Sequence, residues 1–275
     1  MIAFKHSVFA LPFALMSLVT APGDGWPTAR VWLWVIIAMI SARTAAMSFN
    51  RLADHQLDAV NPRTNDRSLP AGRLSRRFAW WVTIIATFVF IVAAARLNRL
   101  CLVLAPPTLA VLLGYSYAKR ITAAAHLWLG LALGIAPIGA WIAVTGAVAG
   151  PPIVLGAAVM LWVAGFDTIY SLQDESFDRS YGLQSLPSRL GARRALIIAR
   201  LLHLLALIGF AAFAVAAGGG WIRMAAVAAA ALLMLWQHRL VKAADLSAVD
   251  AAFFTANGIL SVVMCSLFIV AKLIG

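Results

Sequence analysis

Nine strongly apolar runs recur along this chain of 275 residues, at roughly 6–22, 29–50, 78–96, 99–117, 125–146, 152–173, 193–216, 221–241 and 250–273. A helix rises about 1.5 Å per residue, so a run of about 20 residues can cross a hydrocarbon core about 30 Å thick. Helices are the expected form, because inside a bilayer each backbone N–H and C=O must be satisfied within its own segment. With 63% hydrophobic and 12% charged residues, the chain is also far too apolar for a soluble domain. An all-α integral membrane bundle of nine spanning helices follows, in contact with lipid on its outer face. Pro22-Gly23-Asp24-Gly25, Pro151-Pro152 and Gly218-Gly219-Gly220 supply turns between runs. No linker is long enough to divide the chain, so residues 1–275 form a single domain.

The first run resembles a signal peptide in part, with Lys5 ahead of it and Val19-Thr20-Ala21 as a cleavage-like end. His6, Ser7 and Pro12 favour a retained helix that lines something. The net charge of +12 does not indicate nucleic acid, because the basic residues sit in short connectors rather than on one soluble face. The connector 59–77 holds Arg63, Arg67, Arg73, Arg76 and Arg77, and Lys119 with Arg120 follow the fourth run. Arg179, Arg189, Arg193 and Arg194 follow the sixth, while opposite connectors carry little. The positive-inside rule then places the N-terminus and these connectors in the cytoplasm and the C-terminus outside. Cys101 and Cys265 lie in separate apolar runs with no metal-ligand spacing and are expected to be packing residues.

Seven of the ten acidic residues fall in two places. Asn50, Asp54 and Asp58 follow one another at four-residue intervals at the end of the second run, and on a helix they share a face. Asp167, Tyr170, Asp174 and Asp178 close the sixth run in FDTIYSLQDESFD. One carboxylate at mid-bilayer costs about 2.5–3.5 kcal/mol on insertion scales. Several on adjoining faces therefore need a hydrated cavity that contains cations. Carboxylates with an amide are hard oxygen ligands suited to Mg²⁺, which commonly bridges a few of them to a phosphate-bearing substrate. Arginines beside them supply phosphate contacts. The bland alternative is that these acids only pair with nearby arginines at the membrane surface. An internal echo supports two related halves: Ser68-Leu69-Pro70 followed by Arg76-Arg77 recurs as Ser185-Leu186-Pro187 followed by Arg193-Arg194.

The Asn50, Asp54, Asp58 set, the loop NPRTNDRSLPAGRLS, YSYAKR at 115–120 and the Asp167, Tyr170, Asp174, Asp178 set together resemble the UbiA superfamily of intramembrane aromatic prenyltransferases. The resemblance covers nearly the whole chain and is closest to bacterial 4-hydroxybenzoate polyprenyltransferases. Arg51 departs from it, standing where many members carry another aspartate. The resemblance implies nine helices around a central cavity, in the bacterial inner membrane. It implies Mg²⁺ ions joining the aspartates to a polyprenyl diphosphate, with Asn50, Asp54 and Asp58 serving one and Asp174 and Asp178 another. It also implies diphosphate contacts from Lys119 and Arg120, beside those of the loop arginines Arg63 and Arg67. Asp167 is then a cavity-wall candidate, and Tyr170 could order it or the acceptor, a phenolic carboxylate.

Arg43 lies two turns before Asn50 inside an apolar run and is open to three roles: diphosphate contact, acceptor-carboxylate contact or partner of an aspartate. The five histidines, His126 and His203 among them, show no metal spacing and are expected to be structural. Gly130, Gly134 and Gly139 are expected to be close-packing positions. A cation-coupled transporter also buries acids, but it favours interrupted helices at mid-membrane. A membrane CDP-alcohol phosphotransferase would carry its acids in one segment. For the acceptor, 4-hydroxybenzoate in ubiquinone synthesis is preferred over a hydroxynaphthoate in menaquinone synthesis.

Overall fold

The computed structural model describes residues 9–23 and 25–274, and every regular element among them is a helix. Lys5, His6 and Ser7, which bear on the choice between a leader and a lining helix, lie outside the described residues, as does Asp24 of the first turn. Eight helical stretches are long and apolar enough to cross a membrane. They are α2 (Ala29–Ala53), α4 (Arg76–Leu97), α5 (Arg99–Gly114) continued to Ile121, α7 (Ala125–Thr145), α8 (Gly150–Tyr170) continued to Ser180, α11 (Ala192–Ala216), α12 (Trp221–Leu240) and α13 (Asn257–Ile274) with the turn before it. Short helices α3 (His55–Val60), α6 (Ala118–Ile121), α9 (Glu175–Ser180) and α10 (Leu186–Leu190) lie in the connectors or continue the long helices.

The first apolar run is helical too, as α1 (Leu11–Thr20), but its 10 residues span only about 15 Å. Pro12 sits in its first turn, and Ala21-Pro22-Gly23 cannot continue it. Phe13, Ala14, Met16 and Leu18 are wholly buried, so α1 is an inner element packed against α7 and α13. Ser17 Oγ ties it to α7 by donating to the Pro137 carbonyl at 2.6 Å.

Lipid tails are as apolar as leucine, so helices here associate through close packing rather than escape from water. α8 shows this best: Leu155, Val159, Trp162, Val163, Phe166 and Ile169 are all buried at the centre of the bundle. A Cβ at Gly130 would fall 2.1 Å from the Met160 carbonyl oxygen, and one at Gly134 would fall 2.4 Å from that of Gly156. Those two glycines let α7 and α8 touch backbone to backbone. Gly139, expected to do the same, does not: a Cβ there would meet nothing within 4 Å.

Polar caps fix where the helices begin. Ser75 accepts from the Phe78 amide at 3.1 Å to start α4, and Asn98 accepts from the Cys101 amide at 2.9 Å to start α5. Before α13 the chain makes a π-helical turn, Ala251–Ala256, whose carbonyls need other donors. Gln237 Nε2 donates to Ala252 O at 2.9 Å, and Asn257 Nδ2 to Phe253 O at 2.9 Å. That turn holds Phe253 against Tyr170, with ring centroids 4.1 Å apart.

Candidate active site

Both acidic motifs end long helices: α2 stops just before Asp54, while α8 stops at Tyr170 and a 3₁₀ turn, Ser171–Asp174, leads to the next short helix. Asp54 has φ −96°, ψ 5° and Asp174 has φ −101°, ψ 5°, and a six-residue helix follows each. Aspartate interrupts a helix readily because its side chain competes for backbone hydrogen bonds. At the first break Arg120 donates both to the Ala53 carbonyl at 2.6 Å and to Asp54 Oδ1 at 3.0 Å. The amides of Asp54 and Asp58 still bond to the carbonyls of Asn50 and Asp54, so the four-residue spacing survives. Each arm carries one acidic set and continues as a short helix, His55–Val60 in one and Glu175–Ser180 in the other.

The arms meet at a cavity of about 190 Å³. Asn50, Asp54 and Asp58 line it from one side, and Asp167, Tyr170, Asp174 and Asp178 from the other. Arg63, Arg67, Lys119 and Arg120 complete its wall. Of the site residues expected from the sequence, only Arg43 is absent from the lining; it is half-buried on α2.

The acids do pair with basic side chains, and the pairs line the cavity. Arg63 reaches from the first loop to Asp174, with Nε 2.9 Å from Oδ1 and a terminal nitrogen 2.5 Å from Oδ2. Its other terminal nitrogen donates to the Tyr170 hydroxyl at 3.0 Å. Arg67 pairs with Asp58 at 2.6 Å, Lys119 with Asp178 at 3.0 Å and Arg120 with Asp54 at 3.0 Å. Five carboxylates thus face four cations around one space, with Asp58, Asp174 and Asp178 nearly buried. By contrast the Arg73–Asp66 pair is exposed and makes no part of the wall.

Burial pushes the Asp54 carboxyl above the usual carboxylate range, against the pull of Arg120. Its ionised form is therefore costly and gains from any added cation. For Arg63 burial works against the charge, but the hydrogen bonds and charge of Asp174 outweigh it and raise the guanidinium above its ordinary value.

The donor set fits a hard divalent cation. Carboxylate and amide oxygens predominate, and Asp58 Oδ2 is buried with no hydrogen-bond partner among the described residues, Arg51 standing 3.7 Å from it. Among the described residues no three acidic, imidazole or thiol side chains are grouped closely enough to hold an ion by themselves. Mg²⁺ does not need that, since it commonly takes one or two carboxylates and fills its shell with water and phosphate oxygens.

Three lining or supporting groups lie outside the expected site residues, although Asn61 opens the loop NPRTNDRSLPAGRLS and Tyr115 opens YSYAKR. Asn61 donates to Asp174 Oδ1 at 3.3 Å from the first loop. Tyr115 lines the cavity from the turn after α5. His126, expected to be structural, contacts Asp167 at 2.7 Å through Nδ1. A polar ring at the start of an apolar run is the one available signal for it.

Comparison with known proteins agrees with this geometry. The model of the UbiA prenyltransferase family matches residues 10–259. A 4-hydroxybenzoate octaprenyltransferase from Francisella tularensis subsp. novicida is 31% identical over 196 residues, covering 70% of this chain and 69% of that protein. The apo structure of a UbiA homolog from Aeropyrum pernix K1 superposes with a TM-score of 0.88 at 34% identity, covering 98% of this chain and 99% of the other. A UbiA homolog from Archaeoglobus fulgidus, solved bound to GPP and Mg²⁺, shares the fold with a TM-score of 0.76 at 18% identity, over 97% and 95% of the two chains.

Proposed function

This chain belongs to the UbiA prenyltransferase family, and we propose that it transfers a polyprenyl group from polyprenyl diphosphate to 4-hydroxybenzoate. One observation carries the reading: two aspartate-bearing arms, more than a hundred residues apart in sequence, face each other across a cavity whose own cations already bridge to them. The Francisella relative, named for 4-hydroxybenzoate, supports the acceptor. The Archaeoglobus relative, bound to GPP and Mg²⁺, supports the donor class and the ion.

In this reading Asn50, Asp54 and Asp58 hold one Mg²⁺, and Asp174 and Asp178 hold another. Mg²⁺ supplies positive charge to the diphosphate oxygens as they leave carbon. Arg63, Arg67, Lys119 and Arg120 exchange their carboxylate partners for phosphate oxygens, so ion pairs are replaced rather than lost. Tyr170 accepts from Arg63 and is itself stacked on Phe253, which keeps that guanidinium at the cavity wall. The allylic cation left behind is attacked by the ring carbon ortho to the phenol oxygen, the position which that oxygen makes electron-rich.

Purified protein should be supplied with a long polyprenyl diphosphate, Mg²⁺ and, in parallel, 4-hydroxybenzoate, hydroxynaphthoates and homogentisate. Prenylated 4-hydroxybenzoate is the expected product. Product from a naphthoate alone would move the enzyme to menaquinone synthesis, and no aromatic product from any acceptor would remove the reading.

A further inference from the structure

His126 and Asp167 form a pair that diphosphate departure does not use. His126 lies in the first turn of α7 and is 1% exposed, while Asp167 is on α8 and lines the cavity. Nδ1 of the ring is 2.7 Å from Asp167 Oδ2. On the other side of the ring, the backbone N–H of Leu186 points at Nε2 from 3.3 Å.

These two contacts settle where the proton is. A backbone N–H can only donate, so Nε2 must accept and carries no hydrogen. The neutral ring then has its proton on Nδ1 and donates it to Asp167 Oδ2. Asp167 accepts at Oδ2, and its second oxygen, Oδ1, has no protein partner among the described residues. Leu186 belongs to the Ser185-Leu186-Pro187 turn, and Ser185 with Ser188 closes a capping box that fixes the direction of that N–H. The recurrent loop thus sets the tautomer of a histidine sixty residues away.

We propose that Asp167 is the base that removes the ring proton after prenyl transfer, with His126 as its positioning residue. The proposal rests on the prenyl-transfer reading above. Once the bond between the allylic carbon and the ring carbon has formed, the ring carries an extra positive charge and that carbon holds both the prenyl group and its hydrogen. The C–H bond breaks, its electron pair restores the aromatic ring, and the proton passes to Asp167 Oδ1. His126 keeps Oδ2 occupied throughout, which leaves Oδ1 as the oxygen that takes the proton. Unlike Asp54, Asp58, Asp174 and Asp178, Asp167 has no Arg or Lys within ion-pair distance among the described residues. No protein cation in ion-pair contact therefore competes with an incoming proton at that carboxylate.

The test uses 4-hydroxybenzoate deuterated at both ring positions ortho to the hydroxyl. In the native enzyme bond formation precedes a fast proton loss, and deuterium should change turnover little. Asp167→Asn should lower kcat about 10²–10⁴-fold, the usual contribution of a positioned base, while the KM for the donor stays put. The remaining turnover should slow clearly with deuterium. His126→Ala should show the same deuterium sensitivity at a smaller loss, and His126→Gln, which keeps an N–H donor, should restore most of kcat. Should Asp167→Asn fail to fold, the two His126 variants carry the test. Unchanged kcat in Asp167→Asn, or slowed variants with no deuterium effect, would overturn the proposal and leave diphosphate as the proton acceptor. No prenylated product from the native enzyme would instead overturn the parent reading.

Discussion

Asp58→Asn and Asp174→Asn should each lower prenyl transfer about a thousandfold while the helical content of the protein is unchanged. Both carboxylates are nearly buried, at 6% and 5% exposure, and both line the cavity from opposite arms. Opposite unit charges about 4 Å apart contribute on the order of 4 kcal/mol at an effective dielectric near 20. Each 1.36 kcal/mol removed from transition-state stabilisation is a tenfold loss in rate, which gives the size expected. The amide keeps the shape of the side chain and one of its acceptor oxygens, so folding has little reason to suffer. Turnover in purified, reconstituted protein checks this, with circular dichroism as the control. Near-native rates in both variants would mean that the two arms do not act on the diphosphate together.

The second large effect is on stability and concerns Arg63. It holds both oxygens of Asp174 and the Tyr170 hydroxyl, and its guanidinium lies 5.2 Å from the centre of the Tyr170 ring. Among the described residues, Arg63→Ala therefore leaves Asp174 buried with only the Asn61 amide bonded to it. Removing one partner of a buried pair costs roughly 3–5 kcal/mol, and we expect about 2–3 kcal/mol here because the arginine side chain is 29% exposed and partly screened. Adding Asp174→Asn to Arg63→Ala should recover most of that loss, since the stranded charge is gone. Thermal unfolding in lipid or detergent compares Arg63→Ala and the double variant with the parent. An Arg63→Ala protein that melts with the parent would show that the pair carries no structural weight.

The spanning helices are legible in the sequence because their cause is local: an apolar run of spanning length has one satisfactory backbone form in lipid. The acidic sets are legible for a similar reason, since carboxylates in apolar runs need a shared purpose. Asn50, Asp54 and Asp58 do line one wall, as their spacing predicts. The break at Asp54 and the turn that ends at Asp174 are not legible. They depend on a partner such as Arg120, 66 residues from Asp54, that replaces the interrupted helical bonds. Asn61 with Asp174 and His126 with Asp167 are contacts between elements 113 and 41 residues apart, and no periodicity encodes them. Arg43 shows the converse: helical spacing puts it on the face of Asn50, but seven residues rise about 10 Å, enough to leave it above the cavity wall. Gly139 likewise continues a small-residue pattern into a stretch of α7 that has no neighbour close enough to need it.

The central claim is that the two arms jointly hold divalent metal against the diphosphate of one substrate. A direct measurement is pulsed electron paramagnetic resonance of Mn²⁺ bound in place of Mg²⁺, with an unreactive polyprenyl thiolodiphosphate present. Phosphorus hyperfine coupling to the bound Mn²⁺ is predicted in the native protein, with Mn²⁺ affinity reduced in Asp58→Asn and in Asp174→Asn. Mn²⁺ that binds equally well to both variants, or that shows no coupling to phosphorus, would contradict the account.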